Sequence, residues 1–207
     1  MPTSQERRLA VVAIAKDILH ALHIPGGETL GELVQKKINE RNEDTFKTLI
    51  KELEKGQEEG IVFEENDVDD FVQMVLRLRD AVSKGTARRN LSLIAQVIVG
   101  LKRNRLFQID NFQRWASVLE TLTRDEILVL GAAYRLLQRE GDTWSLLKSE
   151  LVPTTFATNR ELEAICASLM RTGLMIPASG FGALTYRFSE AIKQLGALAE
   201  LELSART

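Results

Sequence analysis

Apolar residues recur along this chain at three- and four-residue steps, the period that gathers side chains on one face of an α-helix. The first such stretch predicts a helix over 4–22, with Leu9, Val12, Ile14, Ile18, Leu19 and Leu22 as a broad core surface. Thr3 and Glu6 have capping-box spacing, in which each side chain accepts from a backbone amide at the helix start. Pro25, Gly26 and Gly27 end that helix. A long helix is expected over 29–55 from Leu30, Leu33, Val34, Ile38, Phe46, Leu49, Ile50 and Leu53. Its middle, Arg41 to Asp44, is polar on all sides, which predicts a bend or a projecting segment. The glycine-bounded string Gly56–Gly60 is its stop.

The next helix, over 68–83, carries Phe71, Val72, Val75, Leu78 and Val82 on one face. The acids before and within its first turn, Glu64, Glu65, Asp67, Asp69 and Asp70, suit the positive end of a helix dipole. Lys84–Thr86 then separates a helix over 87–101 whose Leu91, Ile94, Val97, Ile98 and Leu101 face inward. Beyond Leu106 the elements shorten. Helices are predicted over 111–119, 124–139, 144–151 and 158–171, and capping-box spacing returns at Thr123/Glu126 and Thr158/Glu161. Gly173 to Glu190 reads as strand, glycine-tipped turn, strand, and a helix over 190–203 follows. The expected fold is mainly α: an N-terminal helical bundle (1–106) and a second module with one β-hairpin (107–207).

The residues of that second module carry a resemblance. Leu169, Arg171, Gly173 and Leu174 at the end of a third helix, Gly180 and Gly182 at a hairpin tip, and Tyr186, Phe188 and Ser189 leading into a last helix are similar to the winged-helix pattern. The order of helices and hairpin resembles that fold over the last third to half of the chain. The whole layout also resembles bacterial helical proteins that end in such a module, some of them linked to phage defence. The resemblance implies a winged-helix-like module, a fold that often places its third helix in the DNA major groove. The residues speak against that use here. Leu162, Ile165, Cys166, Leu169 and Met170 are expected to face inward, which leaves Glu161, Ala164, Ser168 and Arg171 outward with Glu163 beside them. Glutamates repel phosphates, and alanine and serine read bases poorly. Arg187 is the one charged residue between Gly173 and Ser189, and residues 110–200 hold nine Lys or Arg against eleven Asp or Glu. The connection from Leu151 to Thr158 is also longer than a helix-turn-helix uses.

Composition narrows the classes further. The 207 residues are 44% hydrophobic and 27% charged, the make-up of an ordinary globular chain. Lysine and arginine total 27 against 29 acids, a formal charge of −2, without the basic excess of a dedicated nucleic-acid binder. Cys166 is the only cysteine, which excludes an intrachain disulfide and a four-cysteine zinc site. The start does not read as a signal peptide, and no apolar run reaches the length of a membrane span. A cytoplasmic location is expected.

Candidate chemistry is sparse. The stretch Ala81 to Ile109 contains Lys84, Arg88, Arg89, Lys102, Arg103 and Arg105 and no acid, which makes it a possible anion or partner surface. The bland alternative is internal pairing with the acidic run Glu64 to Asp70. Lys102, Arg103 and Arg105 sit well for that, whereas antiparallel helices would put Arg88 beside Val82. No aromatic residue interleaves the basic ones before Phe107, so no base-stacking platform is expected. Asp17, His20 and His23 recur at three-residue steps with Glu28 nearby, but two histidines and no usable cysteine make a poor metal site. There is no G-x-S-x-G elbow, phosphate-cradling glycine loop or H-E-x-x-H. Cys166 lies on an apolar face and reads as an inert core thiol. Trp115 and Trp144 flank the helix over 124–139 and are expected to pack the joint between the two parts. No cofactor or small-molecule ligand is implied, and no enzyme. A protein partner or self-association is the expected mode of action, with a nucleic-acid regulator using the 84–105 surface as the competing class.

Overall fold

A computed structural model of the chain describes residues 30–137, 142–180 and 183–201. The helix expected over 4–22 lies outside them. The described residues are mainly helical, with eight α-helices and one two-stranded antiparallel hairpin. They divide into two compact units between Thr121 and Leu122.

The first unit contains α1 (Leu30–Glu58), α2 (Val68–Ser83), α3 (Arg88–Arg103) and α4 (Ile109–Glu120). The central element is α3, which packs against each of the other three. Its expected inward positions are buried, and Leu93, Ala95 and Val99 are buried with them because neighbours cover α3 on several sides. The buried residues of those neighbours include Phe46, Leu49 and Leu53 on α1, Phe71, Met74, Val75 and Leu78 on α2, and Phe112, Trp115 and Leu119 on α4. Each large side chain buried this way contributes about 1.5–3 kcal/mol of transfer free energy.

Two polar ties hold α4 to this unit. Asn90 Nδ2, buried on α3, donates to the Leu119 carbonyl at 2.7 Å, satisfying an acceptor that the end of α4 leaves open. Arg77 on α2 grips Glu120 with Nη1 at 2.7 Å from Oε1 and Nη2 at 3.0 Å from Oε2. The break anticipated at Leu106 is therefore a turn inside the first unit. The polar middle of α1 neither interrupts nor frees the helix. Asn42 and Thr45 are buried there, and Arg41 Nη2 donates to the Thr86 carbonyl at 2.6 Å in the turn between α2 and α3.

Three helices of this unit end alike. After α1, α2 and α3 the amide pairs Gly60/Ile61, Gly85/Thr86 and Arg105/Leu106 donate back into the last turn. This double closure is the Schellman motif, whose first residue takes a left-handed backbone that suits glycine. Gly60 and Gly85 sit there at φ +84°, and Arg105 sits there at φ +58°.

The second unit contains α5 (Arg124–Leu136), α6 (Thr143–Leu151), α7 (Asn159–Leu169), β1 (Met175–Gly180), β2 (Ala183–Phe188) and α8 (Glu190–Leu198). Its buried side chains include Ile127, Leu130 and Leu136, Trp144 and Leu147, Leu162 and Leu169, Tyr186, Ile192 and Leu195. Thr123 and Glu126 form the full capping box at the start of α5. Thr158 and Glu161 form half of one: Thr158 accepts from the Glu161 amide, while the Glu161 carboxylate turns to the Ala157 amide at 2.9 Å. The hairpin pairs Met175 with Phe188 through to Gly180 with Ala183. Its base is closed by Ser189, whose amide donates to Leu174 O at 3.0 Å and whose hydroxyl donates to Gly173 O at 2.6 Å. Helix α7 stops at Leu169, and a 3-10 turn, Met170–Thr172, follows. Met170, expected to face inward, is exposed because this tighter turn takes it off the helical face. Helix α8 ends at Leu198 rather than running through the expected 190–203 span, since Ala199 is already extended.

Candidate functional site

The six basic residues of the 84–105 stretch do not form one surface. Lys84 and Arg88 with Arg89 lie at one end of α3, and Lys102, Arg103 and Arg105 at the other, about 24 Å apart at 1.5 Å per residue. Three of the six are neutralised by the chain's own carboxylates. Arg88 reaches Asp44 on α1, Nη2 to Oδ2 at 2.5 Å. Lys102 Nζ lies 2.6 Å from Asp67 Oδ2, largely shielded from water, and also sits 6.0 and 5.8 Å from the ring centres of Phe63 and Phe107. Arg103 holds Glu59, just beyond the end of α1. Lys84, Arg89 and Arg105 have no side-chain partner among the described residues.

The partners differ from those considered in the sequence. Asp67 does come from the acidic run, as expected for the C-terminal end of α3. The partners of Arg88 and Arg103 come instead from α1 and the turn after it, because α1 lies alongside α3. A cleft of about 300 Å³ lies where Arg88 crosses to Asp44, walled by Thr45, Thr48, Leu91 and Ser92 as well. Both threonine hydroxyls already donate within α1, to Arg41 O at 2.8 Å and Asp44 O at 2.9 Å. Lys47 also lines the cleft and pairs with Glu43 one turn earlier on α1 at 3.6 Å, so both cations of the cleft face a carboxylate of the same helix.

In the second unit, two of the residues expected outward, Ser168 and Arg171, are tied to α5. Arg171 donates to both oxygens of Glu126, Nη2 to Oε2 at 2.9 Å and Nη1 to Oε1, and Ser168 Oγ donates to Oε1 at 2.6 Å. Glu126 is fully buried, and the same carboxylate caps the Thr123 amide at 2.8 Å. Burial alone would raise its pKa. The hydrogen bonds from Arg171, Ser168 and Thr123, with the guanidinium charge, outweigh that effect and hold it at about 2. The pairing raises the pKa of Arg171 in turn, through the Glu126 hydrogen bond first. The one cation expected outward on this helix is thus committed to its own fold.

Cys166 is fully buried on α7, as read from the sequence. Burial, with the Glu163 charge adding, pushes its thiol up to about 12, so the reactive thiolate is suppressed. Trp144 packs edge-on against Tyr186, ring centres 5.1 Å apart, and the Tyr186 hydroxyl donates to Glu163 O at 3.3 Å. Trp115 is buried on α4 with the Arg114 guanidinium 4.8 Å from its ring centre.

Among the described residues, no group of three or more His, Cys, Asp or Glu side chains could hold a metal ion. Asp17, His20, His23 and Glu28 lie outside the described residues. No described helix is long and apolar enough to cross a membrane. Among the described residues, the large hydrophobic side chains left exposed are Leu76, Leu106, Met170 and Ile176. Ile176 stands directly across the hairpin from exposed Arg187. No protein-family model matches the chain, and neither does any curated protein or solved structure.

Proposed function

We propose that this chain is a non-enzymatic protein-interaction or regulatory module, a helical bundle joined to a winged-helix-like unit, acting in a bacterial cytoplasm. The observation that carries the reading is where the cations have gone. Arg88, Lys102, Arg103 and Arg171 each meet a carboxylate of the same chain, so half of the 84–105 cations and the outward cation after α7 are already neutralised and have fewer counterions to release to a nucleic acid. The winged-helix-like part of the reading rests on the order α5, α6, α7, β1, β2, α8 and on the residues that resemble that pattern. It is a winged fold turned to packing and protein contact, since its hairpin presents Ile176 beside a single Arg187. Exposed apolar side chains with few charges around them suit the centre of a protein interface.

The test is an affinity pull-down of the tagged chain from its native lysate, with and without nuclease. Stoichiometric proteins that persist after nuclease are the expected result. Recovery of nucleic acid, with proteins lost on digestion, would overturn the reading in favour of a nucleic-acid regulator working through Lys84 and Arg89.

A further inference from the structure

One end of the first unit gathers exposed side chains of both charge signs beside an exposed leucine. Arg105 occupies the left-handed position that its two counterparts, Gly60 and Gly85, fill with glycine. A side chain there costs on the order of 1 kcal/mol or more in backbone strain. Its guanidinium is exposed and meets no carboxylate among the described residues. Leu106, next to it, is 51% exposed, the largest value among the exposed large hydrophobics. The Schellman motif commonly folds that residue back on the helix for an apolar contact, and here it stays half in water.

Anions sit at the same end. The Phe63 and Phe107 rings lie 5.4 Å apart, and Asp67 is held by Lys102, so the segment 63–67 lies against the end of α3 and the turn that follows. Glu64 and Glu65 of that segment are exposed, the Glu64 carboxylate also accepting from the Asp67 amide in a capping box. One patch therefore carries an unpaired cation, an exposed leucine and two exposed carboxylates. A surface bearing both signs around an apolar centre is complementary to itself, which is what a two-fold interface between identical chains requires.

We infer that this end of the bundle docks a second copy of the chain, Leu106 against Leu106 across a two-fold axis and Arg105 of each protomer against Glu64 and Glu65 of the other. The inference rests on the interaction-module reading and names its partner. Charge reversal gives a test with a built-in rescue. Arg105→Glu replaces the one cation of the patch that no carboxylate of the chain meets with an anion, and Glu65→Arg weakens the anionic half and adds a cation. Each variant alone is expected to raise the dimer dissociation constant about tenfold or more. Mixed, the two variants restore opposite charges on both sides of the axis and should recover a heterodimer. Sedimentation equilibrium on the full chain reads all of these.

Arg105→Gly separates docking from folding, because it removes the cation while relieving the backbone. A more stable chain that dimerises less is the expected result. Overturning results are a wild-type chain that stays monomeric at its highest soluble concentration, or a dimer indifferent to all three substitutions. Either would remove self-docking while the pull-down result stood by itself, so the two failures are distinguishable.

Discussion

Arg171 closes a two-pronged hydrogen-bonded pair on the buried carboxylate of Glu126, joining the turn after α7 to the first turn of α5. The two partners are not equally placed: the Glu126 side chain is fully buried, and that of Arg171 is 41% exposed. Removing either should therefore have unequal effects. Arg171→Ala leaves a carboxylate buried with Ser168 and the Thr123 amide as its remaining donors, and should cost about 3 kcal/mol. Glu126→Gln keeps the shape and leaves the arginine able to turn to water, so about 1–2 kcal/mol is expected. Urea unfolding of the two variants checks the order, and a larger loss for Glu126→Gln would contradict it.

The same pair sets a pH dependence. Glu126 has an ordinary value of 4.5 and is held at about 2 in the folded chain. A carboxyl depressed on folding contributes stability above its unfolded pKa and loses it as pH falls through the folded one. The contribution should be complete above pH 4.5 and gone near pH 2, on the order of 2–3 kcal/mol after allowing for the half-exposed arginine. Stability measured against pH should show this slope in the wild type and a shallower one in Glu126→Gln. An equal slope in both would assign the acid sensitivity to other carboxylates.

How far this was legible in the sequence differs by residue. The helices of the first unit follow from their apolar spacing, and Leu91, Ile94, Val97, Ile98 and Leu101 are buried as that spacing requires. Spacing cannot show which helix lies beside which. The partner of Arg88 is Asp44, 44 residues earlier, and α4 is tied to the first unit by Asn90 and Arg77 through contacts 29 and 43 residues long in sequence. Glu126 was readable as a cap because its partner Thr123 is local. Its burial had a signal too: it stands three, four and seven residues before Val129, Leu130 and Ala133, on the buried face of α5. Nothing local pointed to Arg171. Arg105 was visible only as one more cation, since its left-handed backbone depends on how α3 ends.

That backbone gives a stabilising substitution. Arg105→Gly places a residue without a Cβ where φ is +58° and leaves both closing hydrogen bonds, Arg105 N to Lys102 O and Leu106 N to Leu101 O, available to the main chain. The gain should be about 1 kcal/mol, reduced slightly by the greater freedom of glycine in the unfolded chain. Gly85→Ala makes the opposite change at the end of α2 and should cost a similar amount, although the space around Gly85 is open. Thermal unfolding of the two single variants should therefore move in opposite directions from the wild type.

Gly196 tests the packing of the second unit from a different direction. It lies in the interior of α8, where alanine is the better helix former by about 1 kcal/mol. A Cβ at that position would fall 2.1 Å from Cε2 and 2.4 Å from Cζ of the Tyr134 ring on α5. No van der Waals contact is that short, so the ring or α8 must move. Overpacking of this kind costs roughly 1–3 kcal/mol and occasionally more, which exceeds the propensity gain. Gly196→Ala should be destabilising on balance, and the double variant Gly196→Ala/Tyr134→Ala should recover part of the loss by opening the space. If the single variant proved more stable than the wild type, Tyr134 would have to swing aside without losing contacts, and the close approach of α8 to α5 would not constrain that site.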